Sequence, residues 1–177
     1  AQITNAITVN KTDTASFAVA LPDVCENVST LNFAFAIPTG ADYHAGNYID
    51  STGVFNPIAA GAGVHTIDYT YINAAGCVSV ISDSIVVNPA PNVTLSAIAP
   101  VCSNISPFAL TGGSPSNGFY QGPGVNNGNF NPLNSGPGTF NISYNFVDSN
   151  NCVSADTQQV VVYAPTKASI VNINGFC

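Results

Sequence analysis

Between residues 139 and 147 the chain reads TFNISYNFV. Phe140, Ile142, Tyr144 and Phe146 fall on one side, and Thr139, Asn141, Ser143 and Asn145 on the other. A period of two marks a half-buried strand, because successive side chains point to opposite faces of a sheet. Asp148-Ser149-Asn150-Asn151 follows, residues that tolerate a positive φ, and then the apolar-rich QQVVVY, so the pattern predicts a hairpin. In an earlier stretch, His65, Ile67, Tyr69 and Tyr71 form the same inward row and Asn73-Ala74-Ala75-Gly76 the same turn. Upstream, PFALTG (107–112), GFYQG (118–122) and NFNP (129–132) predict short strands between clusters of Gly, Pro and Asn. No stretch of helical length carries a helical period.

The pattern is written twice. FNPIAAGAGVHTIDYTYINAAGCVS (55–79) returns as FNPLNSGPGTFNISYNFVDSNNCVS (130–154), with ten of 25 positions identical at a constant offset of 75. Self-similarity at a fixed period declares repeated structural units. Many short strands with turn signals every ~8–12 residues predict an all-β chain of tandem immunoglobulin-like antiparallel β-sandwiches. Tyr69 and Tyr144 fit either a tyrosine corner or a core tyrosine with a satisfied hydroxyl. The ends match pieces of the repeat. AQITNAITV at the start resembles SADTQQVVV (154–162), and KASIVNINGFC (167–177) resembles NVTLSAIAPVC (92–102). The expected organisation is therefore the C-terminal strand of a preceding repeat at 1–11, repeat one at 12–88, repeat two at 89–165 and the first strand of a following repeat at 166–177. NPAPN (88–92) and YAPTK (163–167) read as proline linkers, which favour an extended connection.

Composition narrows the functional classes. With 46% apolar and 6% charged residues, the chain has ample surface to bury and is not of disordered type. Two lysines, no arginine and a net charge of −7 leave nothing to neutralise a phosphate backbone or an anionic bilayer, so nucleic acid is not an expected partner. The apolar runs FAFAI and SIVV are strand-length, well short of the ~20 residues of a spanning helix, and direct membrane insertion is not expected.

Cys25, Cys77, Cys102, Cys152 and Cys177 are separated by 52, 25, 50 and 25 residues, two cysteines to a repeat. No C-x₂-C pair suggests zinc, and neither histidine recurs between repeats, so the cysteines read as disulfides of an oxidising, extracytoplasmic compartment. Pairing across a proline linker would require the chain to double back. The expected bonds are therefore Cys25–Cys77 and Cys102–Cys152, each closing about 50 residues for roughly 4 kcal/mol, with Cys177 unpaired.

Candidate chemistry is sparse. His65 takes the position that Phe140 fills in repeat two, as a structural residue would, and no nucleophile and base converge, so no catalytic residue and no cofactor are expected. Asp42 and Asp50 flank an atypical loop without the spacing of a calcium site, and no metal is expected. The GPG segments at 122–124 and 136–138 are turns, since no lysine follows and no helix opens. The loop of repeat one, IPTGADYHAGNYIDSTG, offers Tyr43, His44 and Tyr48 as a candidate glycan platform.

The order PVCSNISPFALTGGSP, GFYQGPGVNNGNFNP, GPGTFNISYNFVDSNNCVS resembles the tandem Ig-like or PKD-like repeats of very large surface proteins of Bacteroidota, among them gliding-motility adhesins exported by the type IX system. Repeat one departs from that order in the atypical loop. The resemblance implies a cell-surface, filamentous adhesin or stalk whose partners are neighbouring repeats, other copies in a filament, or surface glycans. It also implies that Thr14, Ser51 and Ser84, each following an aspartate, match the short O-glycosylation acceptor of that phylum. Two readings follow: a structural or adhesive repeat of an extracellular surface protein, and a carbohydrate-binding Ig-like module.

Overall fold

The computed structural model describes residues 14–33, 36–40, 42–44 and 46–167. The chain divides into two compact units, Ala1–Ala90 and Pro91–Cys177. The strand expected at 1–11, and that expected at 166–177 beyond Lys167, lie outside the described residues.

The first unit contains β1 (Ser16–Phe17), β2 (Val24–Cys25), β3 (Leu31–Asn32), β4 (Ala36–Ile37), β5 (Asp42–His44), β6 (Val54–Phe55), a single helical turn α1 (Pro57–Ala60), and the long hairpin β7 (Gly63–Ile72) and β8 (Val78–Asn88). Its main sheet has the order β2-β8-β7-β5. The β7–β8 and β5–β7 pairs are antiparallel, while β2 runs parallel to the end of β8 through Val24↔Val87 and Cys25↔Asn88. The pairs β1–β4 and β3–β6 face this sheet, and Ile49 adds a bridge to Phe55. Phe55 from β6 and Phe33, directly after β3, meet Ile67, Tyr69, Ile85 and Val87 from the main sheet in one buried cluster. Burial of each such side chain contributes about 1.5–3 kcal/mol.

The second unit repeats the plan with β9 (Thr94–Leu95), β10 (Val101–Cys102), β11 (Phe108–Ala109), β12 (Gly113–Ser114), β13 (Phe119–Gln121), β14 (Val125–Asn126), β15 (Asn129–Phe130), α2 (Pro132–Ser135), β16 (Gly138–Val147) and β17 (Val153–Tyr163). The main sheet is β10-β17-β16-β13, opposed by β11-β15-β14 and β12-β9. Leu110, Phe130, Ile142, Val160 and Val162 form its core. The architecture is all-β and immunoglobulin-like, as the alternation predicted. The inward row behaves as expected: Ile142 and Tyr144 are buried, Phe140 and Phe146 half-buried, and the opposing Thr139 and Asn141 exposed.

The expected hairpin is present, and its turn is organised by one side chain. The Asp148 carboxylate accepts from the N–H groups of Asn150 and Cys152, and Asn73 accepts likewise from Ala75 and Cys77. Asn and Asp favour such turns because the short side chain replaces a backbone acceptor. The short strand expected at 129–132 ends at Phe130. Asn131 instead caps α2, its side chain accepting from Leu133 and Asn134 with Pro132 in the first turn, and Asn56 caps α1 in the same way.

Equivalent residues before the β5–β6 connection are separated by 77 positions, as Cys25 and Cys102 are, and those after it by 75, as Cys77 and Cys152 are. The connection in unit one is thus two residues longer. In unit two the corresponding stretch holds β14, paired with β15 through Val125↔Phe130.

Candidate functional site

The atypical loop of the first unit is where sequence singled out a platform. Tyr43 sits in the middle of β5, 6% exposed, its ring 4.8 Å from that of Tyr69, and its hydroxyl accepts from the Ala36 N–H at 3.3 Å. Unit two repeats this arrangement. The Tyr120 ring lies 4.8 Å from Tyr144, and its hydroxyl accepts from the Gly113 N–H at 3.0 Å. Tyr43 is therefore a scaffold residue, which takes it out of the expected platform of Tyr43, His44 and Tyr48: an aromatic ring inside the core cannot stack on a sugar. His44, the next residue on the strand, is exposed. Tyr48 is half-buried, edge-on to Phe55 at 5.9 Å and to His65 at 5.0 Å.

The second tyrosine of each pair ties the main sheet to the opposite layer. Tyr144 donates its hydroxyl to the Pro115 carbonyl at 2.5 Å and accepts from the Gly118 N–H at 2.7 Å, and Tyr69 donates to the Pro38 carbonyl. These bonds reach back 29 and 31 residues, across the sandwich, so both are core tyrosines with satisfied hydroxyls.

His65 holds the Gly61 carbonyl at 2.8 Å from Nε2, at the end of α1. Asp50 does not pair with Asp42. Its carboxylate accepts from the Thr52 hydroxyl at 2.6 Å and from the N–H groups of Thr52 and Val54 at 2.9 and 3.0 Å. The Thr52 hydroxyl, followed by the Val54 N–H, holds the Asp50 carboxyl below its ordinary pKa. Among the described residues, no group of three or more His, Cys, Asp or Glu side chains is placed to hold a metal ion. No described helix is long and apolar enough to cross a membrane.

Each unit has shallow clefts of its own. One of about 380 Å³ in unit one is lined by Thr39, Gly40, Asp42, Ser51, Thr52 and the flanks of Tyr43 and Tyr69. In unit two, a groove of about 510 Å³ is lined by Asn126, Asn127, Asn129, Asn131 and Asn134 with Pro107 and Val125. The sequence reading missed this groove, although the run VNNGNFNPLN was its signal. The candidate acceptors Thr14, Ser51 and Ser84 are all exposed.

The cysteines depart from expectation. Cys25 and Cys152 are disulfide-bonded, whereas Cys77 and Cys102 are free thiols, so neither Cys25–Cys77 nor Cys102–Cys152 forms. Strand geometry gives the reason. Cys152 directly precedes β17, and Cys102 pairs with Tyr163 at the other end of that 11-residue strand. At ~3.3 Å per residue, roughly 33 Å separates the two ends, whereas a disulfide needs Cα atoms within ~7 Å. Unit one is built alike, with Cys77 before β8 and Cys25 beside Asn88 at its far end. Cys177 lies outside the described residues.

No family model matches the chain, and no curated protein matches it. Among solved structures it is similar to SGBP-B of the Bacteroides ovatus mixed-linkage glucan utilization locus, in complex with a mixed-linkage heptasaccharide, at 14% identity and a TM-score of 0.33 over 85% of this chain and 48% of that one. It is also similar to immunoglobulin domains 1–4 of Sidekick-1, at 13% identity and a TM-score of 0.30 over 87% of this chain and 51% of that one. The chain spans about half the length of these structures.

Proposed function

We propose that the chain is a segment of a structural, adhesive surface protein, built from immunoglobulin-like repeats and exposed to an oxidising exterior, with no catalytic role. One observation carries this reading: what recurs between the repeats is scaffold. β7 and β16 share one pattern of burial along all ten residues. The capping asparagines, the tyrosine bonds to Pro38 and Pro115, and the Asn73 and Asp148 turns recur with it. A chain selected to repeat a rigid unit keeps such devices, whereas a dedicated site would be kept in one copy. The resemblance to Bacteroidota surface repeats points the same way, and the bonded Cys25 and Cys152 suit that compartment.

The test is surface labelling joined to glycan screening. Antibodies against residues 91–167 should decorate unpermeabilised cells of the source organism, and the purified chain should retain no glycan on an array. Labelling only after permeabilisation would overturn the reading. Glycan binding lost on Tyr48→Ala would replace it with the carbohydrate-binding alternative.

A further inference from the structure

Two Asn-Gly pairs stand in the described part of unit two, and the first unit contains none. An asparagine before glycine is open to attack on its own side chain, because glycine has no Cβ to shield its nitrogen. In both Asn117-Gly118 and Asn127-Gly128 the asparagine is exposed and has a positive φ, 71° and 47°. Exposure and backbone class therefore do not separate the two.

The glycine nitrogen does. The Gly118 N–H donates to the Tyr144 hydroxyl at 2.7 Å, and the residue lies so close against β16 that a Cβ on it would meet the Asn145 carbonyl oxygen at 2.4 Å. Gly128 has neither restraint. Asn127 and Gly128 form the two-residue connection from β14 to β15, between the paired Asn126 and Asn129. Among the described residues the Gly128 N–H donates to no group, and nothing lies within 4 Å of where a Cβ would stand. Asn127 also lines two clefts, the asparagine groove and one of about 520 Å³ bounded by Leu110, Phe119, Tyr120 and Gln121.

We propose that Asn127 is a self-modification site of unit two, at which Gly128 supplies the nucleophile and water is the co-reactant. The Gly128 nitrogen attacks the Asn127 side-chain carbonyl carbon and forms a C–N bond. The bond from that carbon to Nδ2 breaks, and ammonia leaves with the proton that Gly128 gave up. Water then opens the cyclic imide at either carbonyl, giving aspartate or isoaspartate with no change in oxidation state. Both products place a negative charge on a wall shared by the two clefts, in a chain already at −7. Isoaspartate also adds a methylene to the backbone of the turn, and it shifts the Gly128 carbonyl, which accepts from the Leu110 N–H at 2.8 Å. The layer β11-β15-β14 thus loosens with the age of the molecule, in one repeat only. The chemistry requires only water and does not depend on the surface-repeat reading.

The test incubates the purified full-length chain in mildly alkaline buffer, native and in urea, and follows each site by chymotryptic peptide mapping with enzymatic methylation of isoaspartate. Phe119, Tyr120 and Phe130 divide the two sites into separate peptides. In the native chain Asn127 should convert roughly two- to tenfold faster than Asn117, the factor that corresponds to breaking one hydrogen bond before attack. In urea the two rates should converge, a comparison that needs no variant. Tyr144→Phe, with an unchanged circular dichroism spectrum, should raise the Asn117 rate by the same factor. Aged native chain should lose protection of the Leu110 amide in hydrogen exchange, and aged Asn127→Gln should keep it. Equal native rates, a faster Asn117, an Asn127 that stays an amide, a ratio unchanged by urea, or a Leu110 amide that stays protected in aged native chain would each overturn the proposal.

Discussion

Tyr144 is the residue on which most converges in the second unit, since its ring stacks on Tyr120 and its hydroxyl serves both Pro115 and Gly118. Tyr144→Phe keeps the ring but leaves a backbone donor and acceptor short of a partner. It should destabilise the unit by about 1–3 kcal/mol in urea unfolding. Asp50 gives a second prediction at this scale. Its carboxyl is held below the ordinary value of 3.8, so its contribution is fully present above that pH and is lost as the pH falls below it through the lowered folded value. The amides of Thr52 and Val54 should lose protection in acid over that range, and Asp50→Asn should flatten the response in hydrogen exchange. Tyr43 shows how far single residues were legible. Aligned at the offset of 75 it has no tyrosine partner, but at the cysteine offset of 77 it falls on Tyr120, and DYH lies over FYQ. A two-residue insertion hid the match, and with it the scaffold role of the ring.

The long hairpins were plain from alternation and from Asn and Asp at the turns, because period two and turn chemistry are local signals. The opposing layer was less so. Its strands are mostly two residues long, set by the glycines and prolines between them and by tertiary contacts, and the capped turns α1 and α2 are too short to show a helical period. Two glycines, Gly113 in β12 of that layer and Gly118 just before β13 of the main sheet, are required by close approach. A Cβ on Gly118 would meet the Asn145 carbonyl oxygen at 2.4 Å, and one on Gly113 the Tyr144 ring at 2.5 Å. Gly118→Ala should cost about 1–3 kcal/mol or more, with β13 parting from β16 as the first change in hydrogen exchange. Asp148→Ala removes two backbone partners from the β16–β17 turn and should cost about 1–2 kcal/mol, concentrated in amides 150–152.

For the whole chain, cysteine chemistry is the direct check. Alkylating the freshly purified monomer, then reducing and alkylating with a second reagent, should mark Cys77 and Cys102 with the first label and Cys25 and Cys152 with the second. A peptide joining Cys102 to Cys152 would contradict the strand geometry. The spacing of the cysteines showed that two belong to each repeat, but only the 11-residue span of the last strand shows that they sit at opposite poles. The parallel seam between β2 and β8, and its copy between β10 and β17, has a mechanical consequence. When a repeat is pulled from its two ends, antiparallel neighbours peel apart one bond at a time, but strands that run the same way must slide past each other. The Glu26 N–H to Asn88 carbonyl bond and the Ser103 N–H to Tyr163 carbonyl bond, each 2.8 Å, then share the load with the rest of their seams and give way together. Under tension each repeat is fastened as a clasp loaded in shear rather than as a zip.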